Sequence, residues 1–82
     1  MANKAMAARQ AVYRLLYELR IEKPGVYFSV PELRFVACDP ELSAALVFGQ
    51  EMNHLEKKHG QWRMTAWGML FAERENYVEG ED

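Results

Sequence analysis

Apolar residues recur at helical spacing from about Ala5 to Glu22. Ala8, Val12, Leu15, Leu16 and Leu19 share one face, while Arg9, Tyr13, Tyr17 and Arg20 lie on the other, which predicts a first amphipathic helix. Lys23-Pro24-Gly25 closes it, because proline cannot continue a helix and glycine turns readily. The β-favouring run Val26-Tyr27-Phe28 predicts one brief strand. Two helix-start signals follow about ten residues apart. Ser29 with Pro31 and Glu32 forms a capping box, and Asp39-Pro40 repeats the start. The first would open a short helix burying Leu33, Val36 and Ala37. The second would open a long helix from Pro40 to about Lys58, with Leu42, Ala45, Leu46, Gly49, Met52 and Leu55 on a common face. Gly49 in that face costs roughly 1 kcal/mol of helix propensity relative to alanine, so a close helix crossing there is expected to compensate.

After Gly60 the period changes. Trp62, Met64 and Ala66 alternate with Gln61, Arg63 and Thr65, the pattern of a half-buried strand. Beyond it two patterns compete. Gly68 could reverse the chain into a hairpin with Met69-Leu70-Phe71, or Thr65 to Tyr77 could form a helix with Trp67, Leu70 and Arg74 along one side. The resulting order is helix, strand, helix, helix, strand, strand, and the expected fold class is α+β, with three helices and a two- or three-stranded antiparallel sheet.

Composition narrows the class. Half of the 82 residues are hydrophobic and 27% are charged, which describes one globular domain in which nearly every large apolar side chain is needed for the core. No apolar run is long enough for a bilayer, and charges at Arg9, Arg14, Glu18 and Arg20 interrupt any secretory signal. The single cysteine, Cys38, excludes an intrachain disulfide and fits a reducing compartment, so a cytoplasmic location is expected. The net charge of −2 is unevenly distributed. Residues 73–82 carry five acids and one arginine, an acidic tail of −4. The domain proper, residues 1–72, has nine bases against seven acids, a net of +2.

The segments SVPELRFVACDPEL and NHLEKKHGQWRMT resemble the core of winged-helix transcriptional regulators. That family commonly shows a T/S-V-x-E-L start, a turn before the recognition helix, and an L-E-K-K-G-like exit into the wing. The resemblance covers roughly residues 29–65. It departs from the family in the turn, where Cys38-Asp39-Pro40 stands in place of the frequent glycine. What it implies is a small winged helix that binds duplex DNA, as a homodimer, through its long helix and wing. On that footing Lys57, Lys58 and Arg63 are the expected phosphate contacts, and Ser43, Gln50 and Asn53 the expected groove contacts. His54 and His59 belong to the same basic exit. The plainer role of these cations is to stabilise a helix C-terminus, at roughly 0.3–1 kcal/mol each.

The outward side of the long helix is chemically mixed. Ala44, Val47, Phe48 and Glu51 suit a protein contact better than a phosphate backbone. A rival expectation is therefore a non-enzymatic adaptor or inhibitor that uses the same fold to hold a protein partner, with Tyr13, Tyr17, Val47, Phe48 and Trp67 as interface residues. Catalysis has little to stand on. His54 and His59 are five apart, not at the one-turn spacing of helical metal ligands, and Cys38 has no identifiable base. No Gly-rich phosphate loop occurs. No enzyme activity, metal or cofactor is expected.

Overall fold

A computed structural model describes residues 4–29, 31 and 42–78. The first half of the helix-turn-helix, with the capping box at Glu32, the buried face Leu33, Val36 and Ala37, and the turn Cys38-Asp39-Pro40, lies outside the described residues, as does the end of the acidic tail. Within them the chain runs α1 (Lys4–Glu22), β1 (Phe28–Ser29), α2 (Leu42–Glu51), β2 (Leu55–Lys58), β3 (Gln61–Met64) and α3 (Ala66–Arg74). The strands form an open antiparallel sheet in the order β1-β3-β2. Three helices against such a sheet make a small α+β, winged-helix-like fold.

The first helix ends at Glu22, where the proline and glycine require it to. Lys23 N–H still reaches the Leu19 carbonyl, and Val26 N–H then closes the Lys23-Pro24-Gly25 turn on the Lys23 carbonyl. The short strand survives only through pairing, with Phe28 opposite Trp62 and Ser29 opposite Gln61.

The expected long helix stops about two turns early, at Glu51 rather than near Lys58. Asn53 takes up a left-handed φ of 63°. His54 N–H then bonds the Gly49 carbonyl at 2.7 Å, and Asn53 N–H bonds that of Gln50 at 3.1 Å. These are the paired bonds of a Schellman stop, with Asn53 in the position glycine usually fills. Leu55 to Lys58 is accordingly strand, not helix, and pairs with β3 from Leu55 opposite Met64 to Lys58 opposite Gln61. His59 (φ 53°) and Gly60 (φ 77°) make the two-residue turn between them, since positive φ at both positions matches the twist of the flanking strands.

Of the two patterns open after Thr65, the helix is the one formed. Thr65 caps it, its hydroxyl oxygen accepting from Gly68 N–H at 3.0 Å. The same Schellman geometry ends it, with Asn76 at φ 60° and Tyr77 N–H on the Ala72 carbonyl. Gly68 therefore sits inside α3 instead of turning a hairpin. It is buried because the α3 backbone crosses the His54 carbonyl there, and a Cβ at Gly68 would overlap that oxygen and lie 2.9 Å from its carbon.

The core gathers Ala8, Val12, Tyr13 and Leu16 of α1, Leu42, Ala45 and Leu46 of α2, Leu55, Trp62 and Met64 of the sheet, and Ala72 of α3. The helical and strand periodicities thus select most of the buried face on α1, α2 and β3, but Met52, expected on that face, is exposed beyond the end of α2, and Tyr13, expected opposite it, is buried. Gly49 is the close-approach point expected of it, but its tightest neighbour is a strand residue. A Cβ would stand 2.5 Å from the Leu55 side chain and 3.3 Å from the Tyr13 hydroxyl.

Candidate nucleic-acid interface

The residues expected to contact DNA fall on two adjoining elements. Ser43 and Gln50 are exposed on α2, and Asn53 is exposed at the Schellman stop. Two residues later the chain enters the β2–β3 hairpin, held against the end of α2 by Leu55 packed on Gly49. Lys57, Lys58 and His59 are exposed on that hairpin. The shortened α2 thus moves Lys57 and Lys58 from a helix exit onto a projecting wing. Their cationic character cannot be explained as helix-dipole stabilisation, because they do not lie on a helix.

Strand alternation separates the two lysines. Lys57 pairs with Trp62 on the core-facing side, its Nζ 5.4 Å from the indole ring centre. Lys58 lies on the outer side, 6.0 Å from the Tyr27 ring. Arg63 shares the outer side but is held more firmly. One guanidinium nitrogen donates to the Pro24 carbonyl at 2.8 Å and the other to Glu56 at 3.2 Å, while the group lies over the Tyr27 ring at 5.4 Å. Tyr27 completes the set by donating its hydroxyl to Glu56 at 2.8 Å, a bond that raises the phenol above its ordinary pKa. Arg63 therefore braces the base of the wing, whose exposed cations are Lys57 and Lys58, with His59 exposed at the turn.

The α2 surface carries no cation. Ser43, Ala44, Val47, Gln50 and Glu51 are exposed, and 48% of Val47 is open to solvent. Phe48 is half-buried, tilted against Tyr13 at 6.5 Å and covered by the Arg9 guanidinium 4.4 Å from its ring centre. It belongs to the edge of the core rather than to an outward surface. Of the other residues expected at an interface, Trp67 is 55% exposed on α3, one turn before the equally open Leu70. Tyr17 is half-buried and ties α1 to α3 by donating its hydroxyl to Glu73.

Tyr13 is fully buried and corrects the expectation of a surface tyrosine. Its helical position is on the flank of the apolar stripe, but α3 and the α2–β2 junction close over that flank. Its ring meets His54, Phe71 and Tyr77 edge-on at 5.4–5.7 Å between centres. Its hydroxyl lies 2.6 Å from His54 Nδ1. His54 is 1% exposed and stacked on Phe71 at 4.2 Å, so it is a core residue, not part of the basic exit. Sequence spacing gave no sign of this pairing across 41 residues. Burial lowers the imidazole pKa from its ordinary 6.5 and, with Tyr77 nearby, pushes the phenol well above its usual range. Both shifts favour a neutral pair in which the tyrosine O–H donates to Nδ1.

A pH dependence follows. Below pH 6.5 the unfolded chain binds a proton at His54 that the folded chain refuses, so stability falls with acidification. The slope from this residue is bounded by one proton, about 1.4 kcal/mol per pH unit. Urea midpoints should decline between pH 6.5 and 5, and a His54→Gln variant should lose that part of the decline. A variant that keeps the full acid slope would assign it to other groups.

No protein-family model, curated protein or solved structure matches this chain. Among the described residues no three metal-binding side chains come together, and no helix is long and apolar enough to cross a membrane. A groove of about 570 Å³ runs between Ala7, Gln10, Ala11 and Arg14 of α1 and residues 76–78. Arg14 and Tyr77 are its ionisable side chains, and they do not make a nucleophile with a base.

Proposed function

We propose that the protein is a DNA-binding regulator of winged-helix type, holding duplex DNA between α2 and the β2–β3 wing. The observation that carries this reading is the wing, a tight hairpin directly after α2 that presents Lys57, Lys58 and His59 to solvent. Lysines at such a position hold phosphates and set the register of the preceding helix in the major groove. The exposed Trp67 and Leu70 on α3 support association of two copies, so that two wings address one duplex.

The test is a fluorescence-anisotropy titration of a mixed-sequence duplex at several salt concentrations. Each phosphate contact contributes about −0.9 to the slope of log affinity against log salt, so two to three contacts per chain give roughly −2 to −3. Replacing Lys57 and Lys58 together by alanine should remove about 2 from that slope per chain, and saturation should occur at two chains per duplex. Affinity that ignores salt, or no binding at low salt, would sink the DNA reading. It would leave the adaptor reading, in which Val47 and Trp67 hold a protein partner.

A further inference from the structure

The α2 surface specifies which base pairs such a duplex should carry. Ser43, Val47 and Gln50 stand at i, i+4 and i+7, one line along the exposed side of α2, with Ala44 beside Val47. At 1.5 Å per residue that line is about 10 Å long, the length of roughly three base steps.

Each base pair offers a distinct pattern in the major groove. Guanine is best recognised by arginine or lysine on O6 and N7, adenine by asparagine or glutamine on N6 and N7, and thymine by apolar contact with its methyl group. The exposed α2 residues include no arginine or lysine. What they present is one amide, two apolar side chains and a hydroxyl that accepts either base. Glu51, the residue able to accept from cytosine N4, closes the helix at its last position. We infer that α2 reads A·T base pairs, with Gln50 on adenine and Val47 and Ala44 on thymine methyl groups. This rests on the DNA-binding reading above and adds the chemistry of its target.

The charge layout agrees. Residues 42–51 include no lysine or arginine, and the exposed Lys57 and Lys58 belong to the wing, so the wing supplies phosphate attraction apart from base reading, and a composition preference would ride on a sequence-independent salt dependence.

Three duplexes of equal length test the assignment at one salt concentration: an A·T-rich core, a G·C-rich core, and the A·T core with uracil in place of thymine. The full-length protein should bind the A·T core about tenfold more tightly than the G·C core, the discrimination of one good bidentate contact with added methyl contacts. Uracil should cost about threefold, because only the methyl group is lost. Val47→Ala should weaken the uracil effect, Ala44 retaining part of it, and Gln50→Ala should reduce the A·T preference, with neither changing the salt slope. Equal affinity for both cores overturns the inference while leaving DNA binding intact. An A·T preference untouched by uracil and by both variants also overturns it, since that pattern belongs to a minor-groove contact by the wing. Absence of salt-dependent binding to any duplex removes the DNA reading itself, and the inference with it.

Discussion

Gly68→Ala should lower the melting temperature by about 10–20 °C, the expected result of a net loss of roughly 2–3 kcal/mol in a domain of this size. The substitution would ordinarily help, since alanine is favoured in a helix by about 1 kcal/mol. Here the new methyl group meets the backbone carbonyl of His54, which has no side-chain freedom with which to retreat. That carbonyl is further fixed by Thr65, whose backbone N–H and hydroxyl reach it at 2.9 and 3.1 Å. Relieving the overlap means lifting α3 off the α2–β2 junction, with loss of the Thr65 cap at about 1 kcal/mol. Gly25→Ala is the control, because nothing lies within 4 Å of a Cβ there. Thermal unfolding followed by circular dichroism decides the matter. Equal melting temperatures for the two variants would mean that α3 does not cross His54 so closely.

The second large effect is at Tyr13. Tyr13→Ala should cost about 3–5 kcal/mol, the range for removing a fully buried aromatic ring, and is expected to leave little folded protein at 37 °C. Tyr13→Phe separates packing from the polar contact. It keeps the ring edges against Phe71 and Tyr77 but leaves His54 Nδ1 buried without its hydroxyl, which costs about 1–3 kcal/mol. Urea denaturation should rank the chains wild type, Tyr13→Phe, Tyr13→Ala in falling midpoint, with unchanged m-values. A Tyr13→Phe midpoint equal to wild type would show that the 2.6 Å contact contributes no stability.

These two sites also mark where sequence reading reaches its limit. Period-3.6 and period-2 patterns identify the buried faces of α1, α2 and β3, because those faces are decided locally by which side meets the core. The ends of helices are decided by single backbone conformations. Asn53 and Asn76 both stop a helix from the left-handed region, and both asparagines were readable as stop signals. The apolar spacing continues past Asn53 through Leu55, so the pattern carries the helix on to about Lys58, and after Thr65 it fits both a turn at Gly68 and a helix. Burial of Tyr13 and His54 was not readable at all. Each lies at the margin of its local pattern, and only the arrival of α3 over the α2–β2 junction encloses them. For the candidate site, the exposure of Ser43, Val47, Gln50, Lys57 and Lys58 agrees with the sequence reading, whereas Arg63 is engaged with Glu56 and Pro24.

The crossing at His54 has a bearing on chain entropy. The Thr65 hydroxyl closes on the His54 carbonyl across 11 residues, whereas the Tyr13 hydroxyl closes on the same residue across 41. Loop-closure entropy rises with the logarithm of loop length, so the longer closure costs about 1.2 kcal/mol more. The segment from α2 to α3 is therefore the less expensive half of the molecule to bring together, and α1 must find its place against a loop more than three times as long.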